Sequence, residues 1–221
     1  MIFALRVVII AAAVFFLVGG LHPSLANLSA SLITAGVLTW TAARSRASGG
    51  DLLVVLAGLY FILTSLAAIP ETVLFGYVPM QAAPLFMAEQ LAIALIIAVL
   101  ATVLFGKTKA TAYTTPSFSL PALAWRVGAG VAVFVAGYLI AGMIIYPFVQ
   151  SYWAGKPMPP IAATLGMQVL RAVALLAAAG LVARTMASRR EAAVLLAVAF
   201  PALGVFCLRF PVSVGSGMPA Q

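Results

Sequence analysis

LLVVLAGLYFILTSLAAIP, residues 52–70, is the stretch that decides the class of fold. It contains no charged side chain, although Asp51 precedes it and Glu71 follows it. The hydrocarbon core of a bilayer is about 30 Å thick, and a helix of roughly 20 apolar residues crosses it. A run of this length and composition is therefore typical of a transmembrane helix.

The rest of the chain has the same character. Its 221 residues are 65% hydrophobic and only 7% charged, whereas soluble domains are about a quarter charged. The longest hydrophilic stretch, residues 106–121, is too short to build a folded core of its own. The composition therefore excludes a soluble protein, and we expect the lipid bilayer to surround the chain.

Apolar segments of similar length recur along the sequence, bounded by charged residues, proline or glycine. They predict an all-α integral membrane protein, a bundle of seven transmembrane helices in a single polytopic domain of residues 1–221. The predicted spans are residues 3–21, 25–43, 52–70, 85–105, 123–148, 161–183 and 191–208.

The first two segments can be divided in more than one way. One helix over residues 3–43 would be about twice as long as the membrane is thick. We therefore place a break at Pro23, because proline interrupts a helix. Two alternatives leave six spans, namely cleavage of residues 1–26 as a signal peptide or a merger of the first two segments into one.

Basic residues are distributed unevenly between alternate loops. Twelve Lys+Arg and four Asp+Glu give a net charge of +8, and one predicted side carries only Lys156 and Arg209. Because lysine and arginine collect in cytoplasmic loops, we expect the N-terminus in the cytoplasm, the C-terminus outside and the chain in the plasma (inner) membrane. The positive charge thus sets orientation, and nucleic acid is not expected as a partner. The other side carries Arg6, Arg44, Arg46, Lys107, Lys109, Arg184, Arg189 and Arg190.

Ionisable residues within the predicted spans are the first candidates for function, because a charge at the bilayer centre costs about 2.5–3.5 kcal/mol on insertion scales. At 1.5 Å per residue, Glu89 lies roughly 7 Å and Arg171 roughly 15 Å from the outer border. An arginine that reaches upward would bridge this gap, so we expect an ion pair between them. Glu71 stands at the outer end of the third span, where a solvated helix end is the simpler interpretation.

Polar side chains share helix faces with these charges. Thr164, Gln168 and Arg171 stand at positions i, i+4 and i+7 of the sixth span. We interpret them as part of a polar seam that opens toward the outer leaflet. Its candidate ligand-binding residues are Glu71, Glu89, Gln168 and Arg171. The structural alternative is that such side chains only hold neighbouring helices together.

Small residues recur every four positions at Gly128, Ala132 and Ala136, and again at Ala174 and Ala178. Close approach of two backbones at small residues is a main source of helix association in lipid. We expect both faces to pack within the chain, and a homodimer contact is the alternative.

One predicted outer loop, residues 69–84, is apolar and contains three prolines. Non-helical backbone is tolerated at membrane depth where protein buries it. We therefore predict that this loop forms a lid or a re-entrant segment at the membrane edge.

Familiar catalytic chemistry finds no support in the residue inventory. With one cysteine, Cys207, and one histidine, His22, neither a disulfide nor a metal centre is expected. No phosphate-binding, nucleophile-elbow or dinucleotide motif occurs, so no cofactor is expected and no catalytic residue is assigned. Whether the chain is an enzyme stays open, with a role other than catalysis favoured.

Three functions fit these observations. The first is a carrier or ligand-binding membrane component whose outward-facing polar pocket takes a small anionic or zwitterionic ligand. The second is a structural or accessory subunit that docks onto a membrane-protein partner or onto a second copy of itself. The third is an intramembrane enzyme that acts on a lipid, with Glu71 and Glu89 as acid and base.

Overall fold

The computed structural model describes residues 2–19, 25–76, 78–109, 119–153 and 159–205. These residues are helical apart from short turns, and they contain no β-strand. The all-α prediction is therefore confirmed. Within the described ranges, four helical segments are long and apolar enough to cross a membrane. They are Gly49–Leu74, Ala83–Leu104, Leu120–Phe148 and Ile161–Thr185.

Eight α-helices and one π-helical turn make up the described part of the chain. The helices are α1 (Ile2–Gly19), α2 (Leu25–Arg44), α3 (Gly49–Phe61), α4 (Ile69–Leu74), α5 (Ala83–Leu104), α6 (Leu120–Trp153), α7 (Ile161–Thr185) and α8 (Arg189–Val205). The π-helical turn, Ile62–Leu66, connects α3 toward α4. Helices thus occupy each predicted segment, but α1, α2 and α8 are not among the four candidate spans. The number of spans stays a prediction.

The break between α3 and α4 follows from Pro70, which has no N–H to donate and disfavours helix in the residue before it. The chain passes through the π-helical turn, in which Ala67 N donates to Ile62 O at 3.0 Å. After the break, Glu71 N donates to Ala68 O at 3.0 Å. In a continuous α-helix it would donate to Ala67 O, so the Ala67 carbonyl has lost its helical partner.

The core lies between α1, α2, α3, α5, α7 and α8, and α3 is at its centre. Leu52, Leu56, Leu59 and Leu63 place a fully buried stripe along α3 and the π-helical turn. Residues of α5 cover this stripe from one side and residues of α7 from another. The broken segment is therefore held by the best-packed part of the described chain.

Helix α6 stands apart from this core, and α7 is its main neighbour among the described helices. Gly128, Ala132 and Ala136 are all exposed, and a methyl group at Gly128 would meet nothing within 4 Å. The expectation that this face packs within the chain is therefore wrong. The α6–α7 contact is made elsewhere, at Gly130, where a Cβ would lie 2.8 Å from the Leu176 side chain.

The small-residue face of α7 behaves as expected. Ala174 and Ala178 are buried in the common core. Close packing through small residues therefore fixes α7, but not α6, within the bundle.

The loops α2–α3, α5–α6 and α7–α8 meet at one end of the bundle, which we call the basic end (residues 44–49, 105–109 and 184–191). Arg46 N donates to Thr185 O at 2.7 Å, and the Arg46 guanidinium donates to Ala187 O at 2.9 Å. Lys107 Nζ donates to Ala42 O at 2.8 Å, which caps the end of α2. Burial lowers the pKa of the Lys107 ammonium below its ordinary value of 10.5. These cations therefore join three loops through backbone carbonyls.

Candidate functional site

Arg171 is the centre of a polar cluster near the opposite end, which we call the α4 end (residues 69–84 and 159–166). Its Nη2 donates to Glu71 Oε2, and the two side chains form an ion pair. Its Nε donates to Ala67 O at 2.8 Å, and its Nη1 donates to Gln168 Oε1 at 3.4 Å. The side chains of Arg171 and Glu71 are 20% and 28% exposed, so the pair lies close to the surface of the bundle without being open to it.

The broken segment explains why these groups meet. The π-helical turn and Pro70 release the Ala67 carbonyl, and Glu71 follows in the first turn of α4. Gln168 and Arg171 stand three residues apart on α7, so their side chains emerge from neighbouring positions of one face. One interruption in the helix therefore supplies two of the three acceptors that hold the guanidinium, and Gln168 supplies the third.

The guanidinium of Arg171 is not saturated. Arginine carries five N–H donors, and three of them are used for Ala67, Gln168 and Glu71. Within the described part of the chain, no further acceptor is recorded for the remaining two. Arg171 therefore keeps donors that suit a planar anionic group.

Tyr138 joins the cluster from α6. Its hydroxyl interacts with the Gln168 side chain and lies close enough to Glu71 and Arg171 to feel both charges. The sequence reasoning did not select this residue. The sequence does contain an indication of its role. Tyr138 stands far from either end of α6, away from the interface where tyrosine is expected. A tyrosine at such a position needs a hydrogen-bond partner for its hydroxyl.

The structure does not bring Glu89 into the cluster. Glu89 is exposed on α5, whereas its neighbour Gln90 is buried and faces the core. The expected pair between Glu89 and Arg171 is therefore wrong, because Arg171 pairs with Glu71 instead. The interpretation of Glu71 as a solvated helix end is wrong for the same reason.

Two threonines bond back to their own helical segments. Thr164 Oγ1, from the predicted seam, donates to Pro160 O at 3.3 Å, and Thr64 Oγ1, in the π-helical turn, donates to Tyr60 O at 2.7 Å. A hydroxyl that bonds back to its own helix contributes to helix geometry rather than to a ligand site. Of the predicted seam, Gln168, Arg171 and Glu71 form a cluster. His22, at the predicted outer turn, lies outside the described residues.

A cavity of about 440 Å³ borders the α4 end, and described residues of α4, α5 and α7 line it. This cavity, which we call the α4–α7 groove, has an almost entirely apolar wall. Three methionines belong to that wall, Met80, Met87 and Met167. A second cavity, also of about 440 Å³, lies along α6 between Tyr138 and Pro147. The α4–α7 groove is thus lined by the sequence neighbours of Arg171 and Glu71, whereas the second cavity is lined by α6 alone and includes Tyr138.

Residues 69–84 were predicted to form a lid or a re-entrant segment, and they lie beside the α4–α7 groove. The segment forms α4, a turn with Gly76 at φ +72°, and the approach to α5. Val78 is buried, whereas Met80 is exposed. The segment thus folds back between α4 and α5 and covers one side of the groove, although its position in a membrane stays a prediction.

Fold and site together define an all-helical chain with four segments able to cross a membrane and an arginine–carboxylate cluster at the break in one of them. Comparisons with models of known protein families, with curated proteins and with solved structures give no significant match. The chemistry of the cluster and of the nearby cavities is therefore the basis for a proposal of function.

Proposed function

We propose that this chain is a multi-pass protein of the plasma (inner) membrane that binds or carries a small molecule bearing an anionic group. The observation that carries this proposal is the state of Arg171, which lies in an apolar segment and keeps two unused donors next to a cavity. A cation inside the membrane is expensive unless it is paired or has a ligand.

The proposed topology has seven spans, with the basic end in the cytoplasm and the α4 end outside. The uneven distribution of lysine and arginine supports this orientation. The shorter helices α1 and α8 pack against the longer ones, which is compatible with spans that neighbouring helices complete. The α4–α7 groove and Arg171 would then be reached from the outer leaflet.

The broken helix is the second support. Interrupted membrane helices place free backbone groups next to substrates in many transporters, and a π-helical turn often marks a functional position. Here the interruption orients Arg171 through Ala67 O and brings Glu71 opposite it. A zwitterionic ligand could use both charges, while an anionic ligand would use the free donors of Arg171.

Substitutions at Arg171 test the proposal. The purified full-length chain, extracted gently with its own lipids, would be examined by native mass spectrometry. We expect a stoichiometric small-molecule adduct that Arg171→Gln abolishes and Arg171→Lys retains in part, because lysine keeps the charge without the planar fork. Arg184→Gln, which removes an exposed arginine at the basic end, is the matched control. The same adduct on all variants would overturn the proposal.

The accessory-subunit function remains the second candidate, and the state of α6 favours it. The face with Gly128, Ala132 and Ala136 is exposed, so this chain leaves a surface suited to close helix packing uncovered. Copurification of one membrane-protein partner at fixed stoichiometry, lost on Ala132→Leu, would support this function. A monodisperse chain that is stable alone and carries a small-molecule adduct would count against it.

A further inference from the structure

We infer that the ligand of the Arg171 site is an amphiphile, a hydrocarbon chain that ends in a carboxylate. The carboxylate would bind the free donors of Arg171, and the chain would lie in the α4–α7 groove. This inference rests on the proposed function and adds to it the chemical class of the ligand.

The groove and the cluster are built on the same two helices. On α7, Leu170 lines the groove and Arg171 is the next residue. On α4, Pro70 lines the groove and Glu71 is the next residue. Consecutive residues of a helix lie on adjoining faces, so the groove borders the ion pair along both elements. Arg171 and Glu71 do not line the groove themselves, and on this inference the head of a molecule bound there lies at the groove edge beside Arg171.

The groove has the properties of a hydrocarbon site. Its volume of about 440 Å³ falls in the range of small-molecule pockets, roughly 300–1,000 Å³. Methionines form part of its wall, and their flexible side chains adapt to chains of different shape. Met80 and Leu170 are well exposed, so the groove also opens along the surface of the bundle. A small hydrophilic anion would leave these apolar surfaces unused.

Gly166 creates part of this space. A Cβ built at Gly166 would meet nothing within 4 Å, and Gly166 lines the groove together with Met167. A larger side chain at this position would therefore extend into the groove without a clash with the protein. Gly180, on the same helix, is equally open but does not line the groove, which makes it a matched control.

The charges favour a carboxylate as the head. Arg171 has two donors left, and a carboxylate accepts two parallel N–H bonds from a guanidinium. Glu71 remains beside the guanidinium and repels a second negative group. A head with one negative charge is repelled less than a phosphate monoester, which carries nearly two. A long-chain alcohol would fill the groove, but its neutral hydroxyl would accept a weaker hydrogen bond from Arg171 than a carboxylate does.

The test measures binding of radiolabelled dodecanoate to the full-length chain in phosphatidylcholine nanodiscs. We expect saturable binding that dodecanol displaces only at a roughly thirtyfold higher concentration, because dodecanol lacks the charge. Butyrate should displace dodecanoate only at a concentration more than roughly a hundredfold higher, because butyrate lacks eight methylenes and each buried methylene contributes about 0.8 kcal/mol. Arg171→Gln should weaken dodecanoate binding by roughly thirtyfold, the loss typical of a charge-assisted hydrogen bond. Gly166→Leu should weaken it by at least roughly tenfold, since the side chain displaces two or more methylenes.

Two variants keep the test interpretable. Gly180→Leu should bind dodecanoate as the unsubstituted chain does, and Gly166→Ala, which adds only one carbon, should show a smaller loss than Gly166→Leu. If butyrate competes as well as dodecanoate and Gly166→Leu has no effect, the hydrocarbon part of the inference is overturned while the anion site of the proposed function stands. If no carboxylate binds in an Arg171-dependent way, the carboxylate inference is overturned, and the adduct in native mass spectrometry decides the proposed function separately.

Discussion

Arg171 at the cluster and Arg46 with Lys107 at the basic end use the same interaction, a cation that donates to a backbone carbonyl. The carbonyls differ in origin. Ala42 O lies in the last turn of α2, where every helix leaves carbonyls unpaired. Ala187 O lies in the loop before α8. Ala67 O is free because a helix is interrupted within its length.

This difference indicates what each region is for. At the basic end the chain has to turn, so the cations complete loops that any bundle needs. The break at Ala67 is not required to connect two helices, and interrupted backbone at membrane depth persists only where protein or a cavity accommodates it. This contrast fits a structural role for the basic end and the proposed ligand-binding role for the cluster, and the following variants test it.

The largest effect is expected for Arg171→Met. It leaves the Glu71 carboxylate and the Ala67 carbonyl without their shared donor, and breaking one side of a partly buried pair costs about 3 kcal/mol. Unfolding of the reconstituted chain, followed with a steric trap, would measure the change. A loss below about 1 kcal/mol would show that the pair is as weakly coupled as an exposed one.

A smaller effect is expected for Lys107→Met at the basic end. Its Nζ donates to Ala42 O and Ser45 O, and loss of these bonds should lower the free energy of unfolding by about 1 kcal/mol. A loss comparable to that of Arg171→Met would contradict the contrast between the two regions.

Lys107 should also make the stability of the folded chain depend on pH. Burial lowers its pKa in the folded chain, so the unfolded chain binds more protons between that lowered pKa and 10.5. The free energy of unfolding should therefore rise with pH through this window. This rise should be absent in Lys107→Met. If the free energy of unfolding of that variant rises with pH as steeply as that of the unsubstituted chain, another group causes the rise.

The smallest effect is expected for Arg44→Gln. Arg44 pairs with Glu191 at 3.5 Å, but the two side chains are 61% and 33% exposed. Exposed pairs contribute about 0.5 kcal/mol or less, and salt screens them. Unfolding at low and high salt should differ little between this variant and the unsubstituted chain. A loss above about 1.5 kcal/mol would show that the basic end is held by charge pairs rather than by bonds to carbonyls.

The positions of the helices were readable from the sequence, because apolar runs between charges have the length of a membrane helix. The partner of Arg171 was not. Depth alone placed Glu89 within reach, but the rotation of α5 turns Glu89 outward and Gln90 inward. Hydrophobic periodicity reveals rotation when one face is polar, and α5 is apolar on both its core face and its outer face. The apolar pattern of α5 therefore did not indicate which of Glu89 and Gln90 faces the core.

The cluster itself was partly readable. The spacing of Gln168 and Arg171 placed them on one face of α7, as the structure has them. Pro70 marked the end of the predicted third span, but nothing in the sequence indicated that the Ala67 carbonyl would be released toward α7. That outcome depends on the π-helical turn and on the packing of α3 against α5 and α7, and neither leaves a local pattern. Tyr138 was missed because α6 has no polar stripe to mark its inner face.

The most direct test of the central claim replaces the ion pair with apolar residues, as Arg171→Met with Glu71→Leu. An apolar pair of similar volume often holds helices together as well as a buried ion pair does. This variant should therefore fold and lose less stability than Arg171→Met alone, and the remaining loss comes from the unpaired Ala67 carbonyl. Native mass spectrometry of both forms with their own lipids would then separate binding from packing. We predict a stoichiometric small-molecule adduct on the unsubstituted chain and none on the folded double variant. The same adduct on both would contradict the account and make the ion pair a structural contact between α4 and α7.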